Sequence, residues 1–153
     1  MPDDKPTLPE YLASVEVEDE EITPETAARL DRARASNESI PHDDILREFG
    51  LKKLSSEEPQ RIGVTWTLQG QADLRAIDRE TAMGILHCLD RFLKNREGDI
   101  KHLKPPRTDY RLRCDDYRLF FDFVVYETRS GRTSIITMDI RITAVLHRRE
   151  AYR

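Results

Sequence analysis

Polar and apolar residues follow two different periods in the second half of the chain. Residues 62–67 alternate with a period of two, which indicates a β-strand. Apolar residues then recur at helical spacing over residues 82–93, behind Asp78 as a predicted N-cap, so we expect a helix that runs to about Lys94. A shorter helix is expected before it, over residues 68–77.

Three more strands are expected after these helices, over residues 110–114, 117–126 and 134–146, with short turns between them. Residues 96–109 are expected to be a loop. The element order β-α-α-β-β-β predicts an α+β domain over residues 61–153, with a four-stranded antiparallel sheet and two helices on one face.

The first third of the chain carries only short apolar stripes. Residues 1–22 are rich in Pro, Asp and Glu, and we expect no fixed structure for them when they are free. Thr23, followed by proline, predicts the start of one helix, and a second short helix is expected over residues 41–49, closed by Gly50. Helices this short are marginal alone, so their apolar residues need a partner surface.

The chain is also divided by charge. Residues 1–60 contain 16 acidic and 7 basic side chains, a net charge of −9, whereas residues 61–153 contain 13 acidic and 18 basic side chains, a net charge of +5. Residues 52–60 are polar and are predicted to be a linker between an acidic segment, residues 1–51, and the basic domain. This division suggests a polyanion-binding domain that the segment can cover; two solvated surfaces are the alternative.

Composition excludes several classes of protein. Nothing approaches 18 consecutive apolar residues, so we expect no membrane-spanning helix and no membrane partner. The N-terminus lacks the basic and apolar regions of a secretory signal. Cys88 and Cys114 are therefore expected to be reduced thiols in a cytoplasmic protein. Neither lies in a Cys/His cluster with zinc spacing, and we expect no metal and no other cofactor.

Arginines recur on the C-terminal strands. Because residues two apart share a face of a strand, Arg111 and Arg113 are predicted to point the same way, and Arg118 can join them from the next strand. Arg148 and Tyr152 follow the last strand and complete the predicted cluster. Guanidinium groups bind phosphate oxygens bidentately and stack on bases, so the cluster suits RNA. Arginines that serve only solubility are the alternative.

The sequences "LKPPRTDYRLRCDDYRLFF" and "VLHRREAYR", in this order of elements, resemble the RelE/ParE toxin superfamily over residues 61–153. The resemblance implies a RelE-like mRNA endoribonuclease, or mRNA interferase, that cuts mRNA in the ribosomal A site and inhibits translation. Residues 24–51 resemble the toxin-wrapping part of the short antitoxins encoded beside such toxins. This second resemblance implies that the segment silences the domain, which is inactive in the antitoxin-bound form.

The cluster and the resemblance together assign roles to individual residues. In this reaction the RNA 2′-OH attacks the adjacent phosphorus, and an enzyme stabilises the charge of the phosphorane and transfers protons. The expected catalytic residues are Arg113, Arg118, Arg148 and Tyr152, and the expected mRNA contacts are Lys104, Arg111 and Arg113. His147 is an alternative to Tyr152 as the proton-transfer group. The expected antitoxin contacts are Leu30, Ile45, Leu46 and Phe49.

Several alternatives stay open at this point. A ParE-like inhibitor of DNA gyrase shares the fold, and a self-inhibited module that acts only by binding has no catalytic role. Antitoxin and toxin on one chain depart from the family pattern, and the fusion is either natural or engineered. The segment acts on its own chain or on a neighbouring one, and the second case would produce an oligomer.

Overall fold

The computed structural model describes residues 8–18, 20–36, 38–51 and 63–152, with positions 8–10, 125, 126, 128 and 135–138 described by their backbone. The predicted linker, residues 52–60, lies outside the described residues. In chain order, the helices and strands are α1 (Leu8–Ala13), α2 (Pro24–Ala35), β1 (Ile40–Pro41), α3 (His42–Glu48), β2 (Gly63–Trp66), α4 (Leu68–Arg75), α5 (Arg79–Asn95), β3 (Asp99–His102), β4 (Tyr110–Cys114), β5 (Tyr117–Ser130), β6 (Thr133–His147) and α6 (Arg148–Ala151).

One mixed sheet of six strands organises the fold, in the order β1-β2-β6-β5-β4-β3. Neighbouring strands are antiparallel except β2 and β6, which run parallel. The α+β class is therefore confirmed, but the expected sheet of four antiparallel strands is wrong. β3 forms inside residues 96–109, which we expected to be a loop, because an edge strand with a single buried apolar residue, Ile100, carries little periodicity.

Helices cover both faces of the sheet, not one as expected. Leu119 and Phe121 of β5 belong to the larger apolar cluster, which includes the buried side chains of α5. Phe120 between them points to the opposite face and packs in a smaller cluster with Leu30 of α2 and Ala151 of α6. The sheet therefore separates an α5 face from an α2 face.

The acidic segment passes around the sheet, and we call its described part, within residues 8–51, the belt. Leu12 of α1 packs on the α5 face. Residues 15–18, here called the strap, then follow the outer edge of β3 through a parallel bridge between Val17 and His102. α2 crosses the opposite face, β1 pairs with β2 at the other edge, and Ile45 of α3 returns to the α5 face. Both edges of the sheet are thus in contact with the belt.

Local signals explain where the helices begin and end. The hydroxyl of Thr23 accepts a hydrogen bond from the Thr26 N–H at 3.0 Å, and a carboxylate oxygen of Asp78 accepts one from the Thr81 N–H at 3.0 Å, as the predicted N-caps require. Gly50 ends the α3 region with φ +75°, a conformation that favours glycine. None of the helices in the described parts of the chain is long and apolar enough to cross a membrane.

The two cysteines are not the reduced thiols that we expected. Cys88 on α5 and Cys114 on β4 form a disulfide that joins helix to sheet. They lie 26 residues apart on different elements, so their spacing carries no signal, and only the packing of α5 on β4 brings them together.

Candidate anion-binding site

The site begins with two arginines on the α2 face of the sheet. Arg113 of β4 is the cross-strand partner of Arg118 of β5, and Arg111 lies two residues before Arg113 on the same face. Arg111 and Arg118 are only 4% and 8% exposed. Two guanidinium groups this deeply buried need anions or carbonyl oxygens as partners.

The belt supplies the anion. Arg111 donates from Nε to Oε2 of Glu18 at 2.8 Å, and its Nη2 lies 3.5 Å from Oε1 of the same carboxylate. The hydroxyl of Tyr152, just after α6, donates to Oε2 at 2.8 Å. Glu18 is 6% exposed, so a carboxylate from the acidic segment is enclosed between a strand arginine and the C-terminal tyrosine.

Backbone carbonyls hold both arginines in place. Arg118 donates from Nη1 to the carbonyl oxygens of Asp115 at 2.9 Å and Tyr117 at 3.1 Å. Arg111 donates from Nη1 to the Asp99 carbonyl oxygen at 2.8 Å, and the same nitrogen lies 3.2 Å from a carboxylate oxygen of Asp99. The guanidinium groups are therefore held in fixed positions by the protein itself.

The site keeps Glu18 charged and Tyr152 neutral. Burial opposes ionisation of Glu18, but hydrogen bonds from Arg111 and Tyr152 hold its pKa below the usual value. Burial, and then the hydrogen bond to Glu18, raise the pKa of Tyr152 above its usual value, against the effect of Arg111 and Arg118. With Glu18 in place, Tyr152 is therefore unsuited to act as a base.

The other candidate residues surround this centre. Arg113 is about half exposed, 3.9 Å from a carboxylate oxygen of Asp99, and the guanidinium of Arg148 lies 3.8 Å from Asp116 in the β4–β5 turn. Lys104 is exposed in the loop after β3. His147 caps α6, because its Nδ1 accepts a hydrogen bond from the Arg149 N–H at 3.1 Å, and its ring packs against Tyr117. These are the positions of the predicted cluster members: Arg111 and Tyr152 meet at Glu18, Arg118 lies beside Tyr152, and Arg148 turns to Asp116.

The belt meets the domain through apolar side chains and through ion pairs, some of which oppose the net charge of the two parts. All four expected contact residues are buried: Leu30, Ile45, Leu46 and Phe49. Arginines of the acidic segment pair with acids of the basic domain, since Arg29 lies 2.9 Å from Asp73 and Arg34 lies 3.0 Å from Asp122. Acids of the segment also pair with arginines of the domain, since Glu48 lies 2.6 Å from Arg75 and Asp31 lies 2.9 Å from Arg107. Net charge alone therefore predicts only part of this interface.

Glu18 itself has a weak signal in the sequence. Val15, Glu16, Val17 and Glu18 alternate apolar and acidic residues, which is a strand-like pattern. Nothing in that pattern tells which face of the short segment meets the domain. Its partner, Arg111, was predicted to bind RNA rather than a carboxylate of its own chain.

Comparisons with protein-family models, curated proteins and solved structures return no match for this chain. Among the residues that the structure describes, no group of three or more His, Cys, Asp or Glu side chains could hold a metal ion.

Proposed function

We propose that residues 61–153 are a RelE-like toxin domain that cleaves mRNA on the ribosome, and that residues 1–51 hold it silent. The observation that carries this proposal is the meeting of Arg111, Arg118 and Tyr152 on a sheet face that the belt covers. The strand order β2-β6-β5-β4-β3 within the domain differs from the simple meander that we expected, but it leaves the three residues on one surface.

The chemistry of the site fits phosphate-ester cleavage by the RNA 2′-OH. Attack on phosphorus produces a phosphorane with additional negative charge, and buried, preorganised guanidinium groups stabilise such charge most where water is excluded. Arg118 lies within electrostatic reach of Tyr152, Arg111 and Arg113. In the proposed reaction these arginines bind the phosphate oxygens, and Arg148 joins them from α6. The O2′–P bond forms as the P–O5′ bond breaks, which leaves a cyclic phosphate, and Tyr152 or His147 takes part in moving the proton from the 2′-OH to the leaving O5′.

The belt accounts for silence in this proposal. α2 lies on the face that mRNA would approach, and Glu18 uses the hydrogen-bonding groups of Arg111 and Tyr152. A tyrosine whose pKa is raised and whose hydroxyl donates to a carboxylate does not remove a proton from RNA. The proposed active form therefore has the belt displaced.

The test compares residues 61–153 alone with the intact chain. We expect growth arrest and cleavage of ribosome-bound mRNA from the domain alone, and neither from the intact chain. Arg118→Ala or Arg148→Ala in the isolated domain should reduce cleavage roughly 100- to 1000-fold, the usual effect of losing one preorganised donor at an anionic transition state. Arg129→Ala is the matched control, because Arg129 is 79% exposed on the distant β5–β6 hairpin.

A second candidate function is a permanently self-inhibited binding module. This candidate is favoured by how closely the belt is built into the fold of the domain. β1 of the belt pairs with β2, and the side chains of α3 pack in the same cluster as those of α5. An isolated domain that folds, judged by circular dichroism, but neither cleaves mRNA nor arrests growth would support this candidate. Growth arrest without mRNA cleavage, accompanied by gyrase inhibition, would instead indicate a ParE-like toxin.

A further inference from the structure

Glu18 differs from the neighbouring Glu16 and Glu20 in how deeply its side chain is buried. Glu16 and Glu20 are exposed, and Val17 is 47% exposed, whereas Glu18 is 6% exposed. The backbone of the strap fixes this orientation, since the Glu18 N–H donates to the His102 carbonyl oxygen at 2.7 Å and the His102 N–H donates to the Glu16 carbonyl oxygen at 2.9 Å. One carboxylate in an acidic run is thus directed into the site.

The groups that bind Glu18 are those that bind a phosphate group. A guanidinium binds two oxygens of a carboxylate or of a phosphate with the same fork of N–H donors, and the tyrosine hydroxyl donates to either anion. Without Glu18, Arg111 would be a buried cation that has lost one of its two acidic partners, Glu18 and Asp99. A buried cation that loses its anion is costly, and another anion relieves that cost.

The strap is attached more weakly than the rest of the belt. It lies on the edge strand β3 through a single bridge and carries two apolar residues, of which Val15 is partly buried against the larger cluster and Val17 is half exposed. The fully buried apolar anchors of the belt, Leu30 and Ile45, lie on α2 and α3. Opening of the strap therefore does not require those helices to leave the sheet, because segments with few buried contacts open at low free energy.

We propose that Arg111, Arg118 and Tyr152 form a binding site for one phosphate group, and that Glu18 is the internal competitor for this site. The inference rests on the proposed function, in which the phosphate is that of the RNA bond to be cleaved. The strap must then open before a phosphodiester enters. The affinity of the Glu18 carboxylate for the site determines how strongly the phosphodiester must bind to displace it.

The first test uses Glu18→Ala in the full chain, with inorganic phosphate as the probe. Isothermal titration should show at least tenfold tighter phosphate binding by this variant than by the wild-type chain, because the competitor is gone and room is made. Glu16→Ala is the matched control, since it removes an exposed acid two residues away and should bind phosphate as the wild type does. Adding Arg111→Gln to Glu18→Ala should abolish the gain.

The second test needs no substitution and stands if Glu18→Ala does not fold. Phosphate and the strap compete for one site, so millimolar phosphate should speed hydrogen exchange at the Glu18 and His102 amides of the wild-type chain. Exchange within α5, at Leu89 for example, should stay unchanged. Unchanged exchange at both the Glu18 and the His102 amides, or phosphate binding by Glu18→Ala no tighter than that of the wild type, overturns the inference.

The outcomes separate this inference from the proposed function. Phosphate binding by Glu18→Ala without mRNA cleavage supports the site and its competitor but contradicts the nuclease. If a full-length chain released by Leu46→Asp and Phe49→Asp cleaves mRNA while Glu18→Ala gains no phosphate binding, the nuclease stands and the competitor is wrong.

Discussion

His42 shows how docking of the belt on the domain changes the chemistry of one belt residue. Its Nδ1 accepts a hydrogen bond from the Trp66 indole Nε1 at 3.0 Å, and the two rings are nearly parallel. Burial lowers the pKa of His42 to about 4, although the charge of Asp43 raises it slightly. The imidazole must be neutral to accept from the indole, so protonation of His42 and docking of α3 oppose each other.

We expect the chain to lose stability as pH falls from about 7 to 5. The unfolded chain binds a proton at His42 near pH 6.5, whereas the folded chain does so only near pH 4, so the unfolded state holds more protons in this window. The free energy of unfolding should decrease by about 1–2 kcal/mol between pH 7.5 and 5. Urea unfolding at several pH values measures this change.

His42→Asn is the matched control for this titration. The amide oxygen of asparagine occupies the place of Nδ1 and accepts from the Trp66 indole, but it does not titrate. The variant should be less sensitive to pH above 5 than the wild type. Equal pH dependence of the two chains would show that groups other than His42 dominate.

The candidate site could be predicted in part at the scale of residues. The alternation of β4 places Arg111 and Arg113 on one face, and this follows from the geometry of any strand. The partner Glu18 could not be predicted, because which acid of an acidic run becomes buried depends on the register of the strap against β3. The position of the Arg148 side chain likewise depends on how α6 turns away from β6. That turn leaves the Arg148 side chain beside Asp116.

Single helices and strands could be predicted from the sequence where a local signal defines them. The N-caps at Thr23 and Asp78 define α2 and α5 because each cap is completed within three residues. The sequence does not predict β1 and β3. Edge strands of two and four residues are too short to show a period of their own, and they form because a neighbouring strand pairs with them. The parallel pairing of β2 with β6 joins residues more than 70 positions apart, and no local pattern encodes it.

The disulfide joins two elements and yields a prediction at this scale. Linking residues 26 apart restricts the unfolded chain, which should contribute about 3 kcal/mol to the free energy of unfolding. A reductant should therefore lower the melting temperature of the wild-type chain. It should leave the melting temperature of a Cys88→Ala, Cys114→Ala chain unchanged.

A thiol reagent gives the complementary readout for this pair. The denatured, non-reduced wild-type chain should show no reactive thiol, and two should react after reduction, since the chain contains 2 cysteines. Two reactive thiols before reduction would contradict the pairing of Cys88 with Cys114.

At the scale of the whole molecule, the belt is held by apolar burial and by opposite-charge pairs that run in both directions between the two parts. Arg29 and Arg34 of the acidic segment bind acids of the basic domain, whereas Glu18, Asp31 and Glu48 of the segment bind arginines of the domain. Exposed ion pairs contribute little, so the apolar residues should dominate the affinity of the belt. Salt should consequently affect belt docking only weakly.

Release of the belt tests this balance. Leu46 and Phe49 are 4% and 7% exposed and pack in the cluster that includes Trp66 and Leu74. Replacing both with aspartate removes apolar burial worth roughly 1.5–3 kcal/mol per side chain and introduces unpaired charge. Under the proposed function, expression of Leu46→Asp with Phe49→Asp should arrest growth, whereas the intact chain should not, and a growth curve after induction measures the difference.

Arg47→Asp is the control on the same helix. Its side chain is 76% exposed and pairs with Asp44 one turn earlier, so this variant gains an acid without disturbing the buried face and should remain silent. Arg118→Ala added to the released chain should restore growth, because the arrest then depends on the arginine site rather than on misfolding. Arrest by the intact chain, or by the released chain regardless of Arg118, would mean that the belt is not what holds this site silent.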